Sequence, residues 1–253
     1  MDISSVARAS EAICREVEAV LLGKEQTVRQ AVLTLLCGGH LLIEDVPGVG
    51  KTTLAKALAR VIGGDFHRIQ FTPDLLPSDV TGTSIFNQES RHFEFIPGPV
   101  FGNVVLADEI NRATPKTQSA LLEAMEERQV TSDGVERRLP EPFFVLATQN
   151  NVEMMGTFPL PEAQLDRFFG RLSIGYPSRE AEKDMLTSQL ERHPIESVRP
   201  VTTPAELSEM QKVVRTVEVT DSVKEYIVDI VRATREDTLA VLGSSPRGSL
   251  NLM

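Results

Sequence analysis

Residues 41–53 have the sequence LLIEDVPGVGKTT, and this stretch decides the fold. Its short apolar start predicts a buried strand, and apolar residues at helical spacing behind it predict a helix. A strand, a glycine-bearing turn and a helix N-terminus form an anion cradle, because loop amides point inward and the helix dipole favours negative charge. Gly48 and Gly50 let the backbone approach phosphate oxygens. Lys51 can reach the β- and γ-phosphates, and the Thr52 hydroxyl can bind Mg²⁺.

One residue departs from the usual pattern of such loops. The pattern GxxxxGK[ST] begins with glycine, and this chain has Asp45 at that place. The loop alone is therefore a near match, and the other motifs have to decide whether it binds phosphate.

The bulk composition is that of an ordinary globular protein. Its 253 residues suffice for one large domain, or for one domain and a smaller one. The net charge of −10 and the absence of Trp argue against a general nucleic-acid surface. Cys14 and Cys37 are isolated, which predicts reduced thiols and a cytoplasmic location. We expect neither a signal peptide nor membrane insertion, because the longest apolar stretch, about residues 31–43, is too short to span a bilayer.

The order of predicted elements indicates an α/β domain with a five-stranded parallel sheet flanked by helices. Apolar runs predict strands at residues 41–43, 66–71, 103–109, 143–148 and 171–174. Helical spacing predicts helices at residues 4–22, 26–36, 114–128 and 161–169, besides the one after the phosphate loop. Two β-hairpins are predicted within this domain, at residues 84–95 and 129–139.

Beyond a linker at residues 175–178 the pattern is helical only. The predicted helices lie at residues 179–192, 204–216 and 221–235. The second opens with a capping box formed by Thr203 and Glu206. We therefore expect a core domain at residues 1–176 and a small helical domain at residues 177–253.

Polar residues follow two of the predicted strands. Asp108 and Glu109 end the third strand, and Asn150 follows the fourth. The carboxyl ends of parallel strands line the ligand crevice of an open sheet. Asp108 would orient Mg²⁺, and Glu109 would polarise a water for attack on the γ-phosphate. The Asn150 amide could hold that water or the phosphate.

Arginines supply the last group of candidate residues. Arg167 ends a short predicted helix, Arg171 follows it closely, and Arg247 lies at a helix start near the end of the chain. An arginine brought to a γ-phosphate offsets transition-state charge. Each of these arginines alone would be interpreted as part of a surface ion pair.

Together these motifs resemble the AAA+ ATPases, and within them the MoxR family. The residues that carry the resemblance are 44–52 (EDVPGVGKT), 108–113 (DEINRA), 118–125 (QSALLEAM), 147–150 (ATQN), 160–168 (LPEAQLDRF) and 245–247 (SPR). They extend over most of the chain, and their combination is far more specific than the phosphate loop alone. The two predicted hairpins match two insertions of this branch, which face the centre of a ring.

The resemblance implies a role for each candidate residue. Thr52 of Walker A and Asp108 of Walker B would bind Mg²⁺, Glu109 would be the catalytic base, and Asn150 would be sensor 1. The residues expected to bind ATP or ADP are Gly23, Val46, Pro47, Gly48, Val49, Gly50, Lys51, Thr52 and Thr53. Gly23 belongs to the segment that borders adenine.

The arginines divide between neighbouring subunits in this resemblance. Arg167 would be the arginine finger given to a neighbour's ATP, with Arg171 as the alternative. Arg247 would be sensor 2 and act in cis from the helical lid. The implied assembly is a homo-oligomeric ring, expected to be a hexamer. The implied partner is a protein that carries a von Willebrand factor A domain, and the implied activity is chaperone-like remodelling driven by ATP hydrolysis, for metal-centre maturation or complex assembly.

Two other functions remain open at this level. Helicase and magnesium chelatase relatives share the two hairpins, so a DNA- or RNA-linked motor is the main alternative, and Arg137 with Arg138 on the second hairpin supports it. The net acidity argues against it. A nucleotide-gated binding module with little turnover is the third candidate, and the presence of both Asp108 and Glu109 argues against that.

The sequence departs from the family pattern at two further places. Asn151 stands where the family is expected to have proline. The chain ends at Met253, just as the helix that carries Arg247 begins, so we expect the lid to be incomplete.

Overall fold

The computed structural model describes residues 1–150, 156–188 and 194–253. The strands of this part of the chain are β1 (Leu41–Glu44), β2 (Phe66–Gln70), β3 (Gly82–Asn87), β4 (His92–Pro97), β5 (Val104–Asp108), β6 (Gln129–Ser132), β7 (Val135–Arg138), β8 (Phe144–Gln149) and β9 (Gly170–Leu172). The α-helices are α1 (Ile3–Glu18), α2 (Glu25–Leu36), α3 (Lys51–Val61), α4 (Pro77–Thr81), α5 (Pro115–Glu127), α6 (Glu162–Leu165), α7 (Arg179–Ser188), α8 (Pro204–Val214), α9 (Asp221–Glu236) and α10 (Pro246–Leu252).

Five parallel strands form the central sheet in the order β2-β5-β8-β1-β9. Alternate residues of its inner strands face opposite sides. Val104 and Leu106 lie in the core packed against α1, α2 and α3, whereas Val105 and Ala107 lie in the core packed against α5. Both faces are covered, which is why β5 and β8 are continuously apolar rather than alternating. The predicted α/β class, the five-stranded parallel sheet and its flanking helices are confirmed.

Two predicted helix bounds are wrong. The helix predicted at residues 161–169 is only the four residues of α6. The Phe169 N–H donates to the carbonyl of His40 at 2.8 Å, which draws the chain into the sheet, so β9 begins at Gly170. The first helix ends at Glu18 rather than at residue 22. The helix predicted at 179–192 is α7, and residues 189–192 lie outside the described residues.

Both predicted hairpins are present, as β3–β4 and β6–β7. They lie side by side and contact each other. The Ser84 hydroxyl donates to the carboxylate of Asp133 at the turn of the second hairpin. The Arg137 guanidinium lies over the ring of Phe95, 3.9 Å from its centre, a cation–π contact between the two hairpins.

Helix α8, the second of the helices beyond the predicted linker, packs directly on the sheet domain. Leu207 and Met210 of α8 are fully buried in the same apolar core as α1, α2 and α3. The Gln211 amide donates to the carbonyl of Leu35 at 2.7 Å, so α8 is also attached to the end of α2. Residues on both sides of the predicted boundary at residue 177 therefore contribute to one core, and the division into two domains stays a prediction. The capping box of α8, between Thr203 and Glu206, is present as predicted.

This shared core makes a stability prediction. Replacing Leu207 by alanine leaves a cavity among α1, α2, α3 and α8, and we expect it to lower the free energy of unfolding by about 2–5 kcal/mol. Unfolding should remain a single transition, because α8 and the sheet domain have one core. Urea denaturation followed by circular dichroism measures both. Leu239→Ala is the matched control, because Leu239 is 91% exposed. An unchanged midpoint for Leu207→Ala, or two separate transitions, would contradict the shared core.

Candidate nucleotide-binding site

A cleft of about 390 Å³ lies at the carboxyl ends of β1, β5 and β8. Parallel strands with helical connections leave their ligand crevice at this edge. The residues that line the cleft are Pro47, Gly48, Gly50, Lys51, Thr52, Thr53, Arg68, Asp108, Glu109 and Asn150. The structure thus brings together the predicted phosphate loop, the two acids and Asn150, and it adds Arg68.

The backbone of the loop requires both of its glycines. Gly48 has φ +85°, and a Cβ placed there would meet nothing within 4 Å, so the cradle is open on that side. Gly50 has φ +99°, and a Cβ there would lie 2.9 Å from Cδ1 of Leu21. Left-handed backbone and open space allow amide groups to face an anion at the N-terminus of α3. These residues fit a bound phosphate chain.

Lys51 lies half-buried at the start of α3. Its Nζ donates to the backbone carbonyl of Asp45 at 2.9 Å. Burial lowers the pKa of Lys51, and this outweighs the nearby carboxylates of Asp108, Asp45 and Glu109, which raise it. A buried ammonium with one neutral acceptor gains from an anionic partner, so Lys51 is suited to contact a phosphate.

The departure at Asp45 has a structural reason. One oxygen of its carboxylate accepts from the Gly175 N–H at 2.6 Å, the Ile174 N–H at 2.7 Å and the Ser173 hydroxyl at 2.9 Å. The other accepts from the Val46 N–H at 2.8 Å. Burial raises the pKa of Asp45, but these four donors outweigh it and leave the pKa below its usual value. The carboxylate therefore fastens the phosphate loop to the chain that leaves β9.

The Asp108 carboxylate is hydrogen-bonded on both oxygens. Oδ1 accepts from the Thr148 hydroxyl at 2.6 Å, and Oδ2 accepts from Nη2 of Arg68 at 2.5 Å. The Thr148 oxygen itself accepts from the Glu109 N–H at 2.9 Å. Neighbouring strands β2, β5 and β8 thus fix the position of Asp108.

Glu109 lies just beyond β5 in a left-handed conformation, with φ 57°. Its Oε2 accepts from the Gln70 amide and from the Arg112 guanidinium, both at 2.9 Å. Asn150 follows β8 and is buried, and its backbone carbonyl accepts from the Asn111 amide at 3.4 Å. Asn151, the other departure from the family pattern, lies outside the described residues.

Thr52 and Asp108, the two predicted metal ligands, both line the cleft. The described residues contain no group of three or more His, Cys, Asp or Glu that could hold a metal ion without other ligands. Mg²⁺ does not need such a group, because it keeps several waters and takes its remaining ligands from one or two protein oxygens and the substrate phosphates. The donor set fits Mg²⁺ in a nucleotide complex.

The predicted arginines lie outside this cleft. Arg167 and Arg247 both contact the carboxylate of Glu126, at 3.7 and 2.6 Å, and line a second cavity of about 730 Å³. The lid arginine and the predicted finger are therefore neighbours in this chain, and their roles toward a nucleotide stay predictions. Arg171 lies elsewhere, 3.2 Å from the carboxylate of Glu44 at the end of β1.

Gly23 lies in the turn between α1 and α2, with φ +70°. A Cβ there would be 3.1 Å from Cβ of Ala181 in α7, and Leu21 of the same turn contacts Gly50 of the phosphate loop. The turn is therefore next to both the phosphate loop and α7, and its contact with adenine stays a prediction.

Sequence reasoning missed Arg68, Gln70 and Arg112 as residues of the site. Arg68 and Gln70 are exposed side chains at alternate positions of β2, whose end lies beside Asp108 and Glu109. Alternation of polar side chains on a strand that ends at the ligand edge was the available signal. The neighbour of β2 in the sheet could not be inferred from the sequence.

A glycine loop between β1 and α3, with Lys-Thr opening the helix and Asp-Glu ending a nearby parallel strand, defines a P-loop nucleotide-binding site. A family profile described as "ATPase family associated with various cellular activities (AAA)" matches residues 40–170. The chain is 57% identical to the uncharacterised protein YeaC of Bacillus subtilis over 94% of this chain and 74% of that one. It is 42% identical to chaperone MoxR1 of Mycobacterium tuberculosis, over 94% of this chain and 65% of the relative.

The structural comparison agrees. A crystal structure of a Cytophaga hutchinsonii protein, described as a candidate ATPase, matches with TM-score 0.87 and 39% identity, over 98% of this chain and 78% of that one. The chain is also 35% identical to protein MoxR of Paracoccus denitrificans, over 69% of this chain and 52% of that one. The chain belongs to the MoxR family of AAA+ ATPases. None of its described helices is long and apolar enough to cross a bilayer.

The contacts of Asp45 make the second prediction. Asparagine offers one acceptor oxygen and no charge to the four donors, so Asp45→Asn should lower the free energy of unfolding by about 1–3 kcal/mol at pH 7. Since the pKa of Asp45 is lowered on folding, this difference should be constant above about pH 5 and shrink as the pH falls below about 4. Urea denaturation at pH 7 and pH 3.5 measures it. The exposed Asp229→Asn is the control; a loss equal at both pH values would contradict the role of the charge.

Proposed function

We propose that this protein hydrolyses ATP in a Mg²⁺-dependent reaction and uses it to drive chaperone-like remodelling of a protein partner. The observation that carries the proposal is the cleft itself: Lys51, Thr52, Asp108, Glu109 and Asn150 line one space at the ends of three parallel strands. A phosphate cradle alone supports binding, whereas a cradle facing two carboxylates and an amide supports hydrolysis.

Each residue has a distinct part in this proposal. The amides of the phosphate loop and the Lys51 ammonium bind the β- and γ-phosphates. Thr52 and Asp108 would hold Mg²⁺, which neutralises charge on the phosphate oxygens. Glu109 accepts a proton from the attacking water, and the Asn150 amide orients that water. Because Gln70 and Arg112 both donate to Oε2 of Glu109, the base is held in place while its other oxygen is left for water.

The separation of binding from chemistry tests this proposal. Lys51→Ala removes the ammonium group that binds the phosphates and should abolish nucleotide binding. Glu109→Gln keeps the shape and both neighbouring donors but loses the base, so ATP should bind normally while turnover falls by about 10²-fold or more. A fluorescent ATP analogue measures binding, and phosphate release measures turnover. Normal turnover in Glu109→Gln would refute the assignment of the base.

We propose further that the active form is a homo-oligomeric ring, a hexamer by family resemblance. Arg167 and Arg247 do not line the nucleotide cleft of their own chain, which supports a role for an arginine of one subunit at the nucleotide of the next. Arg167 is the proposed finger. Arg247 shares Glu126 with it, and its proposed role remains that of sensor 2, acting in cis from the lid.

Mixed rings test the finger. Arg167→Ala should lower turnover by about 10³-fold or more, and Lys51→Ala should be inactive. Mixing the two should restore activity, because a Lys51→Ala subunit gives its intact Arg167 to a neighbour with an intact phosphate loop. Phosphate release across mixing ratios measures the recovery. Arg171→Ala is the matched variant: recovery with Arg171→Ala, and none with Arg167→Ala, would transfer the role to Arg171.

The proposed partner is a protein with a von Willebrand factor A domain, for metal-centre maturation or complex assembly in the cytoplasm. A relative that bears the name chaperone supports the remodelling activity. Of the two arginines that support the alternative of a DNA- or RNA-linked motor, Arg137 is packed over Phe95 and also donates to the carbonyl of Ser132 at 2.9 Å, whereas Arg138 is exposed. The alternative therefore keeps Arg138 as support, and the net charge of −10 counts against it.

A further inference from the structure

Arg68 is a cationic residue that lines the cleft and extends into it from β2, the edge strand of the sheet. Its Nη2 lies 2.5 Å from Oδ2 of Asp108 and 2.7 Å from Oε1 of Gln70. The Arg68 side chain is 47% exposed, whereas that of Asp108 is 13% exposed. The pair therefore joins a nearly buried carboxylate to a cation that still faces solvent.

The two oxygens of Asp108 differ in how firmly their partners are held. Oδ1 accepts from Thr148, which is fully buried and also receives the Glu109 N–H, so this contact belongs to the sheet. Oδ2 accepts from Arg68, whose side chain is half-exposed, so water can solvate this guanidinium when it leaves the carboxylate. Arg68 is the displaceable partner of Asp108.

The charges of the cleft indicate why Arg68 would exchange with a cation at Asp108. Lys51 and Arg68 are positive, and Asp108 and Glu109 are negative, so these four side chains sum to zero. A nearly buried carboxylate without a partner is costly, and Arg68 removes that cost when no metal is present. A divalent cation near Asp108 would instead be repelled by the guanidinium and would compete with it for the same oxygen lone pairs.

We propose that Arg68 and Mg²⁺ are alternative counter-ions of Asp108, so that Arg68 has to leave Oδ2 before the metal–nucleotide complex is held. The proposal rests on the function proposed above, in which Asp108 orients Mg²⁺. Arg68 is then a positioning residue, and it sets the Mg²⁺ concentration at which nucleotide binding becomes metal-dependent. Arg68 lowers the affinity of the site for Mg²⁺, and it keeps the site electrically neutral when no Mg²⁺ is bound.

The test measures how nucleotide binding depends on the Mg²⁺ concentration, rather than turnover. A fluorescent ATP analogue at a fixed concentration is titrated with Mg²⁺, and the midpoint is compared between wild type and Arg68→Met. Removing the competing cation should lower the midpoint by about three- to tenfold. In EDTA the variant should bind nucleotide no more tightly than wild type, because the gain requires the metal. Arg68→Lys, which keeps the charge but loses the planar fork, should lie between the two.

Arg232→Met is the matched control, because Arg232 is 65% exposed, pairs with Glu236 within α9 and does not line the cleft; its Mg²⁺ midpoint should stay within about twofold of wild type. A midpoint that is unchanged or raised in both Arg68 variants would overturn the proposal, as would tighter binding in EDTA. Should Arg68→Met fail to fold, as judged by circular dichroism, Arg68→Lys decides the outcome. Failure of the proposed function looks different: wild type itself would then show no Mg²⁺-dependent binding.

Discussion

Parallel pairing of β1, β8 and β5 is the constraint on which the site depends. It places the phosphate loop after β1, Asn150 after β8 and the two acids after β5 at one edge of the sheet. The strands are apolar on both faces and each face is packed by helices, so a slip in register would disrupt the packing of two cores. The positions of the site residues at the edge of the sheet therefore depend on the packing of its central strands.

The edge of the sheet also concentrates charge that has to be balanced within the chain. Asp108 and Glu109 each have a guanidinium partner, and Asp45 has four hydrogen-bond donors. Buried or half-buried carboxylates are stable only with such partners. The charges at this edge are accordingly balanced by contacts within the chain.

Local pattern was enough to predict the sheet, both hairpins, the capping box and the residues that line most of the cleft, because periodicity and strand ends are short-range features. What it missed depends on contacts between distant parts of the chain. The carboxylate of Asp45 accepts a hydrogen bond from Ser173, 128 residues away. Arg68 became a site residue only once β2 was known to pair with β5. The packing of α8 on helices near the N-terminus is likewise a contact between distant parts of the chain.

The contact between the two hairpins has a mechanical consequence. The first hairpin follows β2 and α4, and the second follows β5 and α5, so each is connected to a different strand of the cleft. The Ser84–Asp133 hydrogen bond and the stacking of Arg137 on Phe95 couple them into one projecting arm. A shift between β2 and β5 cannot move one hairpin alone without breaking these contacts. The two hairpins are therefore bound to move together, and the paired rings of Phe86 and Phe93 are exposed on the first of them.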